Sequence, residues 1–246
     1  MIFLFKSISK SFELYANRPA AFVFSTLTHC VFNLLLLLAL AGVFLIFFFI
    51  VSVFKLAEAP TVFAIVGAIL ALFYLYFSSA FFGSLVKAYS LLATGTNFSF
   101  MDFYRYAMGN GWTFFSLNLI RLVLLALVNL PSALIYFLYL SQNPIKYVDY
   151  LLLLLSIFLT FFVELFLFPS FIAAATYNSG VLRSLKFAGQ LFQKRHIFAV
   201  CLFVVYSFVW VFNWVPVIQL VTILVFYPVV YTAMIVFFQT YCGKGK

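Results

Sequence analysis

Charge is what this sequence lacks. Only 8% of its 246 residues are Asp, Glu, Lys or Arg, where a water-soluble domain carries about 25%. Five of them are acidic, and the chain holds two histidines, His29 and His196. That inventory is poor material for general acid–base chemistry or a metal centre. No His-x-x-x-His, nucleophile elbow, phosphate-binding loop or paired acidic motif occurs, so an enzyme is disfavoured and no catalytic residue, metal ligand or cofactor is assigned. The three cysteines, Cys30, Cys201 and Cys242, have no Cys-x-x-Cys spacing, which supports neither a disulfide framework nor a metal knuckle. The first residues lack the short apolar core and small-residue cleavage site of a secretory signal, so no cleavable signal is expected.

What the chain has instead is apolar surface. Hydrophobic residues make up 67%, Phe alone supplies 37, and the mean hydropathy is +1.21. A chain this apolar would aggregate in water, so its solvent is the bilayer. The expected fold is all-α: a polytopic membrane bundle of six transmembrane helices in three hairpins, each preceded by an amphipathic surface helix. The six apolar runs are Ala21–Phe54, Thr61–Leu92, Trp112–Leu140, Tyr147–Tyr177, Ile197–Phe212 and Val217–Tyr241. Several exceed the ~20 residues that cross a hydrocarbon core, which implies tilt or protrusion into the headgroups. Pro131, Pro169, Pro216 and Pro228 fall within or beside the runs, as sites for kinks. Trp112, Trp210 and Trp214 read as interfacial anchors.

The net charge of +9 does not point to nucleic acid, because the basic residues cluster in connections and tails. Lys6, Lys10, Arg18, Lys87, Arg105, Arg183, Lys186, Lys194, Arg195, Lys244 and Lys246 fall at one boundary of the bundle, and only Lys55 and Lys146 at the other. Positive residues stay on the cytoplasmic side, so both termini are expected there, in a cell-membrane protein whose partners are lipids rather than nucleic acid.

Phe5, Ile8, Phe12 and Tyr15 recur at helical spacing, while Lys6, Ser7, Lys10 and Glu13 take the other side of the same segment. It ends at Asn17-Arg18-Pro19 and runs into the first apolar stretch. Lys6-Ser7-Ile8 aligns with Arg183-Ser184-Leu185, and Asn17-Arg18-Pro19 with Lys194-Arg195-His196, at one constant offset. A weaker middle copy places Ile8, Phe12 and Tyr15 on Phe100, Tyr104 and Ala107, near a helix start at Ser99 and Asp102. The chain thus reads as one membrane domain, 1–246, with repeats at 1–92, 93–177 and 178–246. This pattern of basic-Ser-apolar start, polar turn and hairpin resembles poorly characterised prokaryotic polytopic membrane-protein families. Among them is the membrane domain that accompanies some glycerophosphoryl diester phosphodiesterases. The resemblance implies a membrane-domain fold. It carries over no functional residue, and the catalytic barrel of those enzymes has no counterpart among these residues.

Charge inside a bilayer is costly, which makes Arg121 and Glu164 the most informative positions. Counting from the nearest polar turns, His29 and Arg121 lie ~15 Å and Glu164 ~20 Å from the basic boundary, near the midplane. Under the repeat alignment His29, Arg121 and Tyr206 are equivalent, and Asn33 and Asn118 lie one turn from His29 and Arg121. One reading is a ligand site of His29, Asn33, Asn118, Arg121, Glu164 and Tyr206, with Arg121 holding an anionic group. The other is an Arg121–Glu164 ion pair that fixes helix packing, with His29 and Asn33 as interhelical hydrogen-bond partners. Lys6, Lys10, Arg183, Lys186, Lys194 and Arg195 are candidates for lipid headgroups, or topology anchors. The functional expectation is a non-enzymatic transporter-like or lipid-binding module. The alternative is a scaffold subunit of a larger membrane complex, with other membrane subunits as partners.

Overall fold

A computed structural model describes residues 2–53, 60–140, 147–191, 193, 204, 219 and 221–242. The described residues are almost all helical. Helix α1 spans Ile2–Asn17, α2 Pro19–Val53, α3 Pro60–Ala93, α4 Phe100–Ile135 and α5 Val148–Tyr177. A further helix, α6, covers 181–191, and the last, α7, spans Tyr227–Cys242. Wide π turns extend α4 over Tyr136–Leu140 and lead into α7 over Thr222–Phe226.

Local chemistry explains the boundaries. Pro19 has no N–H to give to Tyr15, so the Arg18 amide takes that carbonyl at 3.1 Å and the chain turns between α1 and α2. α3 closes with Gly95 in the left-handed region (φ 85°). There the Gly95 and Thr96 amides return to the Leu92 and Leu91 carbonyls at 3.1 and 2.9 Å. Ser99 and Asp102 start α4 as their spacing predicts: the Asp102 amide donates to Ser99 Oγ at 3.2 Å, and the Ser99 amide to Asp102 Oδ2 at 3.1 Å. α5 ends at Asn178, also left-handed, whose side-chain oxygen accepts from Lys87 Nζ at 3.1 Å. The same ammonium sits 5.6 Å above the Tyr106 ring, so one lysine links α3, α4 and the end of α5.

Among the described residues, five stretches are long and apolar enough to cross a membrane: Pro19–Ser52, Thr61–Ala93, Phe100–Leu138, Tyr150–Tyr177 and Thr222–Thr240. Their outward surface makes the same point. On α2, Leu34, Leu38, Leu45, Ile46 and Phe49 are all more than half exposed, a continuous apolar face that only lipid suits. Of the sequence-expected run Ile197–Phe212 only Val204 is described, and Lys194, Arg195, His196, Tyr206, Trp210 and Trp214 lie outside the described residues.

α3 is the central helix, touching α2, α4, α5 and α7. Its small residues allow this. Ser79, Ala80, Ser84, Ala88 and Ser90 are buried, and a Cβ at Gly83 would collide with the Phe114 ring of α4. Membrane helices gain little from hydrophobic association, so close backbone approach and interhelical hydrogen bonds do the holding. Thr26 and Tyr89 share such a bond at 2.7 Å, and Ser84 Oγ donates to the Phe103 carbonyl at 3.0 Å. Around them Phe22, Tyr89, Phe103, Phe114 and Leu117 are fully buried.

Two expectations about the polar segments need correcting. The middle segment does not end before the third run, because α4 continues from Phe100 through Trp112 as one helix. The two-sided reading of α1 is also incomplete, since Ser7, placed with Lys6, Lys10 and Glu13 on the polar side, is buried. Ser7 and Ser11 are buried, with Tyr15 partly so, and α1 packs on α7, while Phe5 (66%) and Phe12 (47%) are exposed. At 100° per residue these sets, with Lys6, Lys10 and Glu13, divide the helix into three sides: protein, apolar and charged. Small serines allow α1 to lie close against α7, which the larger phenylalanines would prevent.

Candidate functional site

Five helices converge on a cavity of about 240 Å³. α2 supplies His29; α3 supplies Ser78, Ser79 and Phe82; α4 supplies Asn118 and Arg121. α5 supplies Glu164, Phe168 and Phe171, and α7 supplies Tyr231. The helical period explains the grouping. Asn118 and Arg121 are three apart, and Glu164, Phe168 and Phe171 follow at four and three, so each set shares one helix face.

A polar chain crosses the site. Ser79 Oγ donates to the Leu75 carbonyl at 2.5 Å and accepts from Asn118 Nδ2 at 2.9 Å. Asn118 Oδ1 accepts from Arg121 Nη1 at 3.3 Å. Arg121 then meets Glu164 with two donors on one oxygen: Nε to Oε1 at 2.7 Å and Nη2 to Oε1 at 2.5 Å. Glu164 Oε2 receives no hydrogen bond among the described residues, and the guanidinium, with five N–H groups, retains unused donors. The Arg121 side chain is 38% exposed and that of Glu164 19%. The pair is closed electrically, yet each partner keeps unused hydrogen-bonding capacity and both line the cavity.

His29 is oriented by its neighbour. Asn33 Nδ2 donates to the His29 carbonyl at 2.9 Å and lies 3.2 Å from Nδ1. The same amide nitrogen lies 3.4 Å from Nε2. Asn33 itself is not part of the cavity wall. His29, Asn118, Arg121 and Glu164 therefore surround one space, Asn33 stands behind it, and Tyr206 is outside the described residues.

Ser78, Ser79, Phe82, Phe168, Phe171 and Tyr231 were not singled out from the sequence. The paired hydroxyls of Ser78 and Ser79 inside an apolar run, and aromatic residues one and two turns after Glu164, were the available signals. Tyr231 carried none, being one of fifteen tyrosines. Away from the cavity, Lys6, Lys10, Arg183 and Lys186 are exposed, with the Arg183 guanidinium 5.6 Å over the Phe187 ring. Among the described residues no group of His, Cys, Asp and Glu has the arrangement of a metal site. Compared with protein-family models, with curated proteins and with solved structures, the chain has no match.

Proposed function

We propose that this multi-pass membrane protein binds a polar ligand in the cavity at Arg121 and Glu164, as a transporter-like or lipid-binding module. It lies in the cell membrane with both termini in the cytoplasm. The observation that carries this reading is the one-oxygen geometry of the ion pair. A pair serving helix packing alone gains most from satisfying both carboxylate oxygens. Here one oxygen and two guanidinium N–H groups are left at a cavity, where a charged pair in a membrane marks a pathway or ligand site. The crowding of basic residues at the boundary where α2 begins supports the orientation. Exposed Lys6, Lys10, Arg183 and Lys186 then face the anionic headgroups of that leaflet.

Native mass spectrometry of the full chain, released from a mild detergent, tests the reading. The expected result is a lone protein with a retained small molecule or lipid that is lost in the Arg121→Gln, Glu164→Gln double variant. Stoichiometric partner chains, with the same adducts on wild type and variant, would overturn it in favour of a scaffold.

A further inference from the structure

We infer that the ligand is a small zwitterion, its anionic group at Arg121 and its cationic group at Glu164. This rests on the cavity being a binding site, and it adds the chemical class. Charge balance is the first argument. The Arg121–Glu164 pair is neutral, and a lone anion or cation placed beside it would leave one uncompensated charge in a poorly solvated space. A zwitterion adds none.

The second argument is the mixed wall. Asn118 is bonded to Arg121 through Oδ1 and to Ser79 through one Nδ2 hydrogen; its second N–H and the Ser78 hydroxyl are groups that hydrogen-bond an anionic oxygen. Phe82, Phe168, Phe171 and Tyr231 supply aromatic rings to the same wall. Phe168 and Tyr231 are 5.2 Å apart between centroids, Phe82 and Tyr231 6.0 Å, and Phe82 and Phe171 5.7 Å. Ring faces beside a carboxylate are the setting that holds an ammonium or quaternary ammonium group. The unused Oε2 accepts from such a group, and the unused guanidinium N–H groups donate to the other end of the ligand.

Size is the third. The cavity of about 240 Å³ equals the liquid volume of about eight waters. That is room for an amino acid or a lipid headgroup, and too little for a drug-sized molecule. The shared chemistry is a carboxylate or phosphate joined to an ammonium by one or two carbons.

Thermal shift of the full-length protein in detergent gives the test, with glycine, β-alanine, glycine betaine and phosphocholine as free probes. Propionate and propylammonium serve as single-charge controls. Nanodiscs of phosphatidylethanolamine against phosphatidylglycerol, read by native mass spectrometry, provide the lipid arm. At least one zwitterion should bind tenfold or more tightly than either control. Free probes succeeding would identify a soluble ligand, and only the phosphatidylethanolamine arm succeeding would identify a headgroup. The neutral Arg121→Gln, Glu164→Gln double variant, checked for a monodisperse elution profile, should lose that binding, and Phe171→Leu should weaken it. Propionate binding as tightly as the zwitterions overturns the zwitterion while the cavity remains a site. Wild type and double variant binding every probe and lipid alike overturns both.

Discussion

Arg121 and Glu164 meet through a single carboxylate oxygen, with Nε at 2.7 Å and Nη2 at 2.5 Å from Oε1. Removing either partner strands the other charge among apolar helices. Arg121→Ala and Glu164→Ala should each lower stability on the order of 2 kcal/mol, less than for a fully buried pair because the site is partly open. The double change should recover part of that loss. A double-mutant cycle on unfolding in mixed detergent micelles measures the coupling, and a coupling near zero would mean that the two side chains act independently.

Gly83 sits where α3 and α4 come closest. A methyl group there enters the Phe114 ring, so Gly83→Ala should cost about 1–3 kcal/mol through overpacking. At Gly67 on the same helix nothing stands within 4 Å, and Gly67→Ala should be neutral or stabilising by up to about 1 kcal/mol. Melting temperatures of the two variants in one detergent compare them directly; equal shifts would contradict the close approach.

Ser99 holds the start of α4 by accepting from the Asp102 amide and donating to the Asp102 carboxylate at 2.6 Å. Ser99→Ala should therefore cost about 1 kcal/mol. Ser99→Asn, which restores a capping oxygen, should recover most of it. Hydrogen exchange at the amides of Met101 and Asp102 should quicken in the alanine variant alone.

Tyr15 donates its hydroxyl to the Leu224 carbonyl at 3.0 Å, in the wide turn that leads into α7. Tyr15→Phe keeps the ring and removes the bond, for an expected loss of about 1 kcal/mol. Proteolysis within α1 would then rise while cleavage in the α2–α3 connection stays unchanged. Unaltered protection of α1 would show that the buried serines hold it without the tyrosine.

The proposed orientation puts the tail at Cys242 inside the cell. In a Cys30→Ser, Cys201→Ser background, a membrane-impermeant maleimide should label Cys242 only after permeabilisation. Labelling of intact cells would reverse the orientation.

The sequence made some of this legible through rules that hold in lipid as in water. Apolar length marked the spanning helices, and the Ser99–Asp102 spacing marked a helix start. Scarcity singled out Arg121 and Glu164, since two opposite charges at one depth have few other places to go. The third side of α1 was not legible because periodicity separates apolar from polar residues, while a membrane protein has two apolar surroundings. Phe5 and Phe12 suit lipid, and the buried contact with α7 went to Ser7 and Ser11, whose small size the alternation does not report. The continuity of α4 through Gly109 and Gly111 was missed for a related reason. Glycine lowers helix propensity in water, but between closely packed membrane helices it is accommodated, and Gly111 lies beside Tyr76 and Ala80. The aromatic wall of the cavity, Tyr231 above all, depends on which helices become neighbours, and no local pattern encodes that.

The bond from Tyr15 to Leu224 joins positions 209 residues apart, and α1 has its main packing partner in α7. α1 is thus synthesised well before the helix it docks on. Until α7 has been synthesised and inserted, the serine stripe of α1 lacks its main packing partner. Loss of α7 would then be felt first far away in the sequence, where α1 would be left undocked.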